Sequence, residues 1–285
     1  MANETDLYAA VQAAADRFTT PMRDAILAAL VALKQGVKVE EIARLLSAGR
    51  VVDTAVLPLS LMQEKLIAAV AVLRTVFGKA GQAAEATWTL KTGFDLHNPF
   101  IEQAMAQRAA GLITNLSVEA EATLRAVLVQ AVADDLPWTT VAELVRPLIG
   151  LNQNQAVAVL TYREALLQDG ITPLRTDTLV LKRTRQLTTA RAETIARTEL
   201  IGAANAAQQT LWQMAEAQGL VVPGTTLRRW ITTPDDRLCP RCAEMHGQQV
   251  GLNELFSQPS TGRQVPHPPL HPRCRCAMVR AEAAA

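Results

Sequence analysis

The sequence predicts a mainly helical protein that ends in a small module of mixed helix and strand. Of its 285 residues, 49% are apolar and only 4% are aromatic, a composition that suits close-packed helices better than a β-sandwich. Apolar residues recur at helical spacing as far as about residue 219, whereas all four cysteines follow residue 238. These observations divide the chain into a helical region at 1–110, a second helical region at 111–220 and a Cys/His module at 221–285.

The first region carries repeated helix signals. Thr20 followed by Pro21 is typical of a helix start, because threonine caps the free amides and proline suits the first helical position. A turn-rich segment at 93–100 then leads into a new helix from about residue 101. The expected helices before that link cover residues 22–34, 39–46 and 60–75.

The second region is also predicted to be helical, with several internal starts. Ser117 is a candidate cap for a helix at 118–133, and Thr140 with Glu143 has capping-box spacing. Two further helices are expected at 152–167 and at about 178–219. Gly202 interrupts the last of these and predicts a break between two helices.

Charge and apolar patterning exclude two broad classes of protein. A net charge of +1 excludes an attraction of the whole protein to nucleic acid, although it leaves room for a local basic patch. The apolar runs at 25–33 and 66–73 are about half the ~20 residues that a membrane span needs, so we expect no membrane partner.

The basic patch that stands out contains Lys182, Arg183 and Arg185. Such a run can contact phosphate or an acidic partner, but a solvated helix face is the more common arrangement. Three polar residues in the same Ala-rich stretch, Arg197, Glu199 and Asn205, are expected to act as structural clamps, for which the C-terminal module offers partners, or to lie on the plain surface.

The C-terminal module changes from helical spacing to a strand-like pattern at 225–233 and then presents its cysteines. Cys239 and Cys242 are separated by two residues, which lets both sulfurs reach one ion at ~2.3 Å. The second group supplies the remaining candidates, so that five donors compete for four zinc positions. We expect the four cysteines to bind, with His271 as the chief alternative; the complete set is Cys239, Cys242, His271, Cys274 and Cys276.

The spacing of the cysteines favours a structural metal. A disulfide framework or a set of inert thiols fits the Cys-x-x-Cys and Cys-x-Cys clustering less well than a metal does. The sequence has no His-x-Glu, no HExxH and no phosphate-binding glycine loop, and four protein ligands leave no open position for a substrate. We therefore expect a structural zinc ion and no enzyme activity. Four arginines are placed to offset thiolate charge: Arg237, Arg241, Arg273 and Arg275. The last three are also candidates for contact with an acidic partner or DNA.

These features together resemble the minor head proteins of tailed phages, the Mu F-like head morphogenesis family. The resemblance is specific over about residues 180–280 and looser upstream. It rests on Ala196-Arg197-Thr198-Glu199, on Ala204-Asn205, on the strand with Trp230, on Cys239-Pro240-x-Cys242, and on His271-Pro272-x-Cys274-Arg275-Cys276. The matching positions imply that the five Cys/His residues form the family's metal motif and that Arg197, Glu199 and Asn205 form its helix motif.

The resemblance also implies a role. It predicts a structural virion protein in which 111–220 is a helical region of the head-morphogenesis type. Its expected partners are the portal protein, major capsid or scaffold proteins and packaged double-stranded DNA. Such a protein is assembled in the host cytoplasm and resides in the phage head near the portal. Two alternatives stay open at this point: a zinc-stapled DNA-binding protein and a metallonuclease.

Overall fold

The computed structural model describes residues 4–50, 52–88, 91–134, 136–222, 224–233, 235–236 and 238–282. Within these residues the chain is mainly helical and has a small strand-containing region near its C-terminal end, as the sequence predicts. The α-helices are α1 (Glu4–Gln35), α2 (Val39–Ser47), α3 (Leu59–Ala86), α4 (Pro99–Ala133), α5 (Trp138–Leu148), α6 (Gln153–Gln168), α7 (Pro173–Ala217) and α8 (Pro240–Ala243), with a 3₁₀ turn at Thr54–Val56.

Helix α1 is longer than predicted, because Pro21 lies inside it and does not start it. The buried side chains of Val11, Ala15, Met22 and Ile26 form one apolar stripe on both sides of the proline. A continuous apolar face stabilises a helix through packing, and here it outweighs the local start signal.

Two further predicted helix starts, at Ser117 and Thr140, are wrong. The Ser117 hydroxyl donates to the carbonyl of Ile113 at 3.0 Å, which is a bond inside one continuous helix and not a cap. Thr140 lies inside α5, which begins at Trp138. The predicted start of α6 is correct: Asn152 and Gln155 form a reciprocal capping box, with the Gln155 amide 2.9 Å from Asn152 Oδ1.

Helix α7 runs for 45 residues without the break that was predicted at Gly202. A Cβ atom at this glycine would stand 2.0 Å from Nη2 of Arg108 on α4. The absence of a side chain at Gly202 lets the Arg108 guanidinium group approach the backbone of α7 closely. The glycine does not end the helix.

Helix α3 bears on the expectation of no membrane partner. Among the described residues, α3 is one helix that is long and apolar enough to cross a membrane. This is weak evidence for a membrane span, because buried core helices pass the same test. The Met62, Leu66, Leu73 and Phe77 side chains of α3 are fully buried. This burial is the behaviour of a core helix. The helix is predicted at 60–75, but its apolar part is longer than the run at 66–73 on which the membrane expectation rests.

The chain forms two compact units, each built from separate stretches of sequence. Unit 1 comprises Met1–Met22, Val70–Ala110 and Thr194–Ala285, and unit 2 comprises Arg23–Ala69 and Gly111–Glu193. Long helices therefore contribute to more than one unit. The division into three consecutive regions at 110 and 220 stays a prediction.

The strands belong to unit 1. Strand β1 (Thr226–Ile231) pairs antiparallel with β2 (Gln249–Gly251) on one edge and with β5 (Ala277–Glu282) on the other. Strands β3 (Phe256–Ser257) and β4 (Gln264–Val265) form a separate antiparallel pair. The predicted strand at 225–233 is thus confirmed over its central residues.

One face of β1 is buried and holds the module together. Trp230 packs edge-on against Phe256, with ring centroids 5.2 Å apart. Arg228 on the same face is fully buried and donates hydrogen bonds to the backbone carbonyls of Gly251, Glu254 and Pro266. One guanidinium group thereby satisfies three loop carbonyls that would otherwise lack partners.

Candidate metal centre

The first two candidate ligands lie on a turn that the cysteines themselves stabilise. Cys239 is the N-cap of α8, and its sulfur accepts a hydrogen bond from the Cys242 amide at 3.4 Å. Pro240 occupies the first helical position, where its missing amide hydrogen costs nothing. The Cys-x-x-Cys segment therefore forms a capped single turn that directs both sulfurs to one side.

The second group of candidates lies just before strand β5. Cys274 and Cys276 are buried, and Cys276 directly precedes the strand residue Ala277, which pairs with Ile231 of β1. Arg273 adopts a positive φ of 61°, a conformation that bends the chain between His271 and Cys274. The sheet register therefore fixes the position of this segment.

The structure brings the two groups together. His271 Nε2 lies 3.1 Å from the sulfur of Cys239 and 3.1 Å from that of Cys242, and the Cys242 and Cys274 sulfurs are 3.7 Å apart. Two sets of three donors could each hold a metal ion, and Cys242 belongs to both: Cys239, Cys242 and His271, and Cys242, Cys274 and Cys276. All four cysteines are free thiols.

The donor set fits a zinc-type ion in two respects. Tetrahedral coordination at ~2.3 Å holds two sulfurs about 3.8 Å apart, which matches the separation of Cys242 and Cys274. The ring Nδ1 of His271 lies 2.8 Å from the Pro272 carbonyl, a contact that places the ring hydrogen on Nδ1 and leaves Nε2 free as a ligand atom. The imidazole is thus oriented toward the sulfurs by the carbonyl of the residue that follows it.

The thiols strongly influence one another's protonation. Hydrogen bonds from Cys242 and Cys276 lower the pKa of Cys274, and the hydrogen bond with Cys274 is the largest cause that raises the pKa of Cys242. One thiolate therefore keeps its neighbours protonated, since like charges at this distance oppose ionisation. A bound cation would allow several sulfurs to ionise together.

Two of the arginines that are expected to offset thiolate charge have partners of their own, and Arg237 lies outside the described residues. Arg275 forms a two-point ion pair with Asp235, at 2.6 and 2.8 Å, and Arg273 donates from Nε to the Thr194 hydroxyl at 2.8 Å. Arg241 is exposed on α8. Two of the three described arginines thus also fasten the metal-binding segment to neighbouring parts of unit 1.

The three candidate clamp residues all make contacts within unit 1. Asn205 is fully buried on α7, and its Oδ1 accepts from the Met278 amide of β5 at 2.9 Å. The other two residues pair with helices and not with the C-terminal module: Arg197 lies 2.8 Å from Asp16 on α1, and Glu199 lies 3.0 Å from Arg108 on α4. Of the three, it is therefore Asn205 that links α7 directly to the strand following the cysteines.

The basic patch lies elsewhere. Lys182, Arg183 and Arg185 are exposed on the part of α7 that belongs to unit 2. Lys182 and Arg183 line a shallow groove with Tyr162 of α6. The structure does not bring these residues into the Cys/His cluster.

Arg228 and Asp235 support the module but are not among the residues that the sequence prediction includes. Arg228 reads as an ordinary strand residue, although its alternation with Thr226 and Trp230 places it on the buried face. Asp235 gives no sign in the sequence of its partner Arg275, which lies 40 residues away. Period-two burial could have identified Arg228, whereas the ion pair depends on the folded module.

Comparison with known proteins gives a family for the part of the chain that contains the cluster. The family model described as Phage Mu protein F like protein matches residues 159–279. No curated protein and no solved structure matches the chain. The family suggests a structural role in phage head morphogenesis and a place in the phage head. The match includes α7, strands β1 to β4 and all five Cys/His candidates, and it confirms the resemblance to phage Mu F-like proteins over residues 159–279.

Proposed function

We propose that the chain is a non-enzymatic minor head protein of a tailed phage and that it associates with the portal vertex during head assembly. A zinc ion staples its C-terminal module into a rigid docking element. The observation that carries this proposal is the convergence of Cys239, Cys242 and His271 on one another, inside the region that matches the family. Major capsid or scaffold proteins are further candidate partners in the head.

We assign the zinc ligands as Cys239, Cys242, His271 and Cys274. The first two sulfurs each lie 3.1 Å from His271 Nε2, and the Cys274 sulfur lies 3.7 Å from that of Cys242. Three thiolates with one neutral imidazole also carry less negative charge than four thiolates. Cys276 then serves as the buried residue that leads into β5.

A structural role for the metal follows from the donors. Four protein ligands complete a tetrahedral zinc site, and neither set of donors in the described residues includes a carboxylate that could act as a base. His246 lies outside both sets, with its Nδ1 3.0 Å from the Thr232 hydroxyl. The ion would join the α8 turn to the segment before β5 and thereby link two parts of a small module that are distant in sequence.

Co-sedimentation with portal oligomers tests the assembly role. The zinc-loaded full chain should sediment with the portal protein, and the Cys239→Ser/Cys242→Ser variant should remain in the supernatant because its docking element is not formed. The Arg44→Ala variant is a control, since this exposed residue pairs with Glu41 on its own helix α2. Absence of co-sedimentation by the zinc-loaded chain would contradict portal association.

Contact with packaged double-stranded DNA is the second part of the proposal, and the exposed patch of Lys182, Arg183 and Arg185 supports it. Each phosphate contact adds about 0.9 to the slope of log affinity against log salt. Replacing all three residues with alanine should therefore lower the magnitude of the slope by up to about three. The affinity should fall equally for all DNA sequences, because phosphate contacts do not read the bases. An unchanged slope would contradict DNA contact through this patch.

A further inference from the structure

Unit 1 contains a small pocket that neither the metal centre nor the basic patch uses. It lies between α1, α3 and α7 and has a volume of about 220 Å³. Its walls are mostly alanine side chains, among them Ala14 of α1 and Ala80 and Ala84 of α3. The volume greatly exceeds the roughly 10–15 Å³ that one water needs, and it is below the roughly 300–1,000 Å³ of whole-ligand sites. The pocket therefore has the size of a single large side chain.

One buried polar atom identifies the chemistry of the occupant. Gln208 of α7 lines the pocket, is only 2% exposed, and its Oε1 has no hydrogen-bond partner among the described residues. A buried acceptor without a partner is costly, and an occupant that offers a donor would remove that cost. An aliphatic side chain would fill the space but leave the acceptor unsatisfied.

The rim of the pocket is positively charged. Arg17 and Lys79 each lie over the ring of Phe18, at 5.6 and 5.4 Å from its centroid, and all three residues line the pocket. Within the described part of the chain neither cation forms an ion pair. Both charges are therefore available to carboxylates that approach from outside.

We propose that this pocket binds a tryptophan or tyrosine side chain of a partner protein, flanked by acidic residues. The aromatic ring would pack against the alanines and Phe18, its N–H or O–H would donate to Gln208 Oε1, and the carboxylates would meet Arg17 and Lys79. Aromatic side chains with a polar tip are frequent anchors at protein interfaces for these reasons. The site is independent of the metal centre and goes beyond the proposed head role.

A matched pair of probes tests the hydrogen bond in the full-length chain. Indole carries the N–H donor, and benzothiophene has the same shape without it. The wild-type chain should bind indole about tenfold more tightly than benzothiophene, as measured by chemical-shift titration. The Gln208→Leu variant should lose this preference. Gln209→Leu is the control, since Gln209 also has a buried unpartnered Oε1 but does not line the pocket, and it should keep the preference.

Two further measurements complete the test. Ala80→Leu should fill the pocket and abolish indole binding, even if Gln208→Leu proves unstable. Indole-3-acetate should bind more tightly than indole at low salt, and this gain should vanish in the Arg17→Ala/Lys79→Ala variant. Equal affinity for indole and benzothiophene in the wild-type chain, or indole binding that survives Ala80→Leu, would overturn the proposal.

Discussion

The Cys/His module and the interior of unit 2 handle buried polar groups in opposite ways. In unit 2, the buried Arg191 guanidinium pairs with the half-exposed Glu119 and donates to the Gly150 carbonyl at 2.6 Å, so that the buried positive charge has a negative partner. In the module, thiols and an imidazole face one another, and all of them are electron-pair donors. The first arrangement is complete as it stands, whereas the second calls for a cation.

This contrast predicts that metal removal has the largest effect on the protein. Apparent binding free energies of structural zinc are about 10–16 kcal/mol, and most of this is folding free energy of the module. Cys242→Ser should reduce zinc to well below one ion per chain and expose the β1 and β5 amides to hydrogen exchange. Cys276→Ser should keep the zinc, because our ligand set excludes this residue. Elemental analysis and hydrogen exchange check both variants.

The contradicting outcome is a module that survives without its ion. A chain that keeps protected β1 and β5 amides after exhaustive chelation would show that the module is stable without metal. The Arg228 network and the Trp230–Phe256 contact would then be sufficient to hold it.

The second prediction addresses the pair in unit 2. Arg191 is 6% exposed and Glu119 is 49% exposed, so the pair is only partly desolvated. Arg191→Met should lower the free energy of unfolding by about 2–3 kcal/mol, mainly because the Gly150 carbonyl loses its donor. Arg125→Ala is the control, since its exposed pair with Glu121 at 3.5 Å should contribute less than about 0.5 kcal/mol. Urea denaturation measures the free energy of unfolding of both variants. Equal losses of stability would show that the Arg191 pair contributes no more than an exposed surface pair.

Local signals and long-range packing differ in how well the sequence reveals them. The start of the helix at residue 152 and the clustering of the cysteines could be predicted because each depends on residues a few positions apart. Pro21 and Ser117 do not start helices, because the apolar stripes of α1 and α4 extend over many turns on both sides of them. Gly202 does not end a helix for another reason: its neighbour Arg108 lies 94 positions earlier in the chain.

The third prediction concerns the polar link between α7 and β5. Asn205→Ala removes the acceptor of the buried Met278 amide and should cost about 1–3 kcal/mol. The effect should appear first as faster exchange of the β5 amides, because Met278 is only two residues from Cys276. Asn115→Ala on α4 is the control, since Asn115 is exposed. Unchanged β5 exchange in Asn205→Ala would show that the strand does not depend on this contact.

The smallest expected effect lies in unit 2, at a lysine whose charge the surroundings oppose. Burial, with added repulsion from Arg191 and Arg185, lowers the pKa of Lys34 from 10.5 to about 8, although its Nζ still donates to the Thr188 hydroxyl at 2.8 Å. The unfolded chain then binds more protons than the folded chain between pH 8 and 10.5, so this residue should make stability rise with pH across that window. After allowance for partial exposure the gain should be about 1–2 kcal/mol.

Lys34→Met isolates this contribution because it removes the charge and keeps most of the apolar stem that packs against Gly150. The difference in unfolding free energy between wild type and variant should favour the variant at pH 7 and shrink as the pH approaches 10.5. Thr188 keeps its own bond to the Thr184 carbonyl at 2.9 Å in the variant, so no buried donor is left without a partner. A difference that does not change with pH would mean that Lys34 is as well solvated in the fold as in the unfolded chain, and the interior of unit 2 would then hold no uncompensated charge at this position.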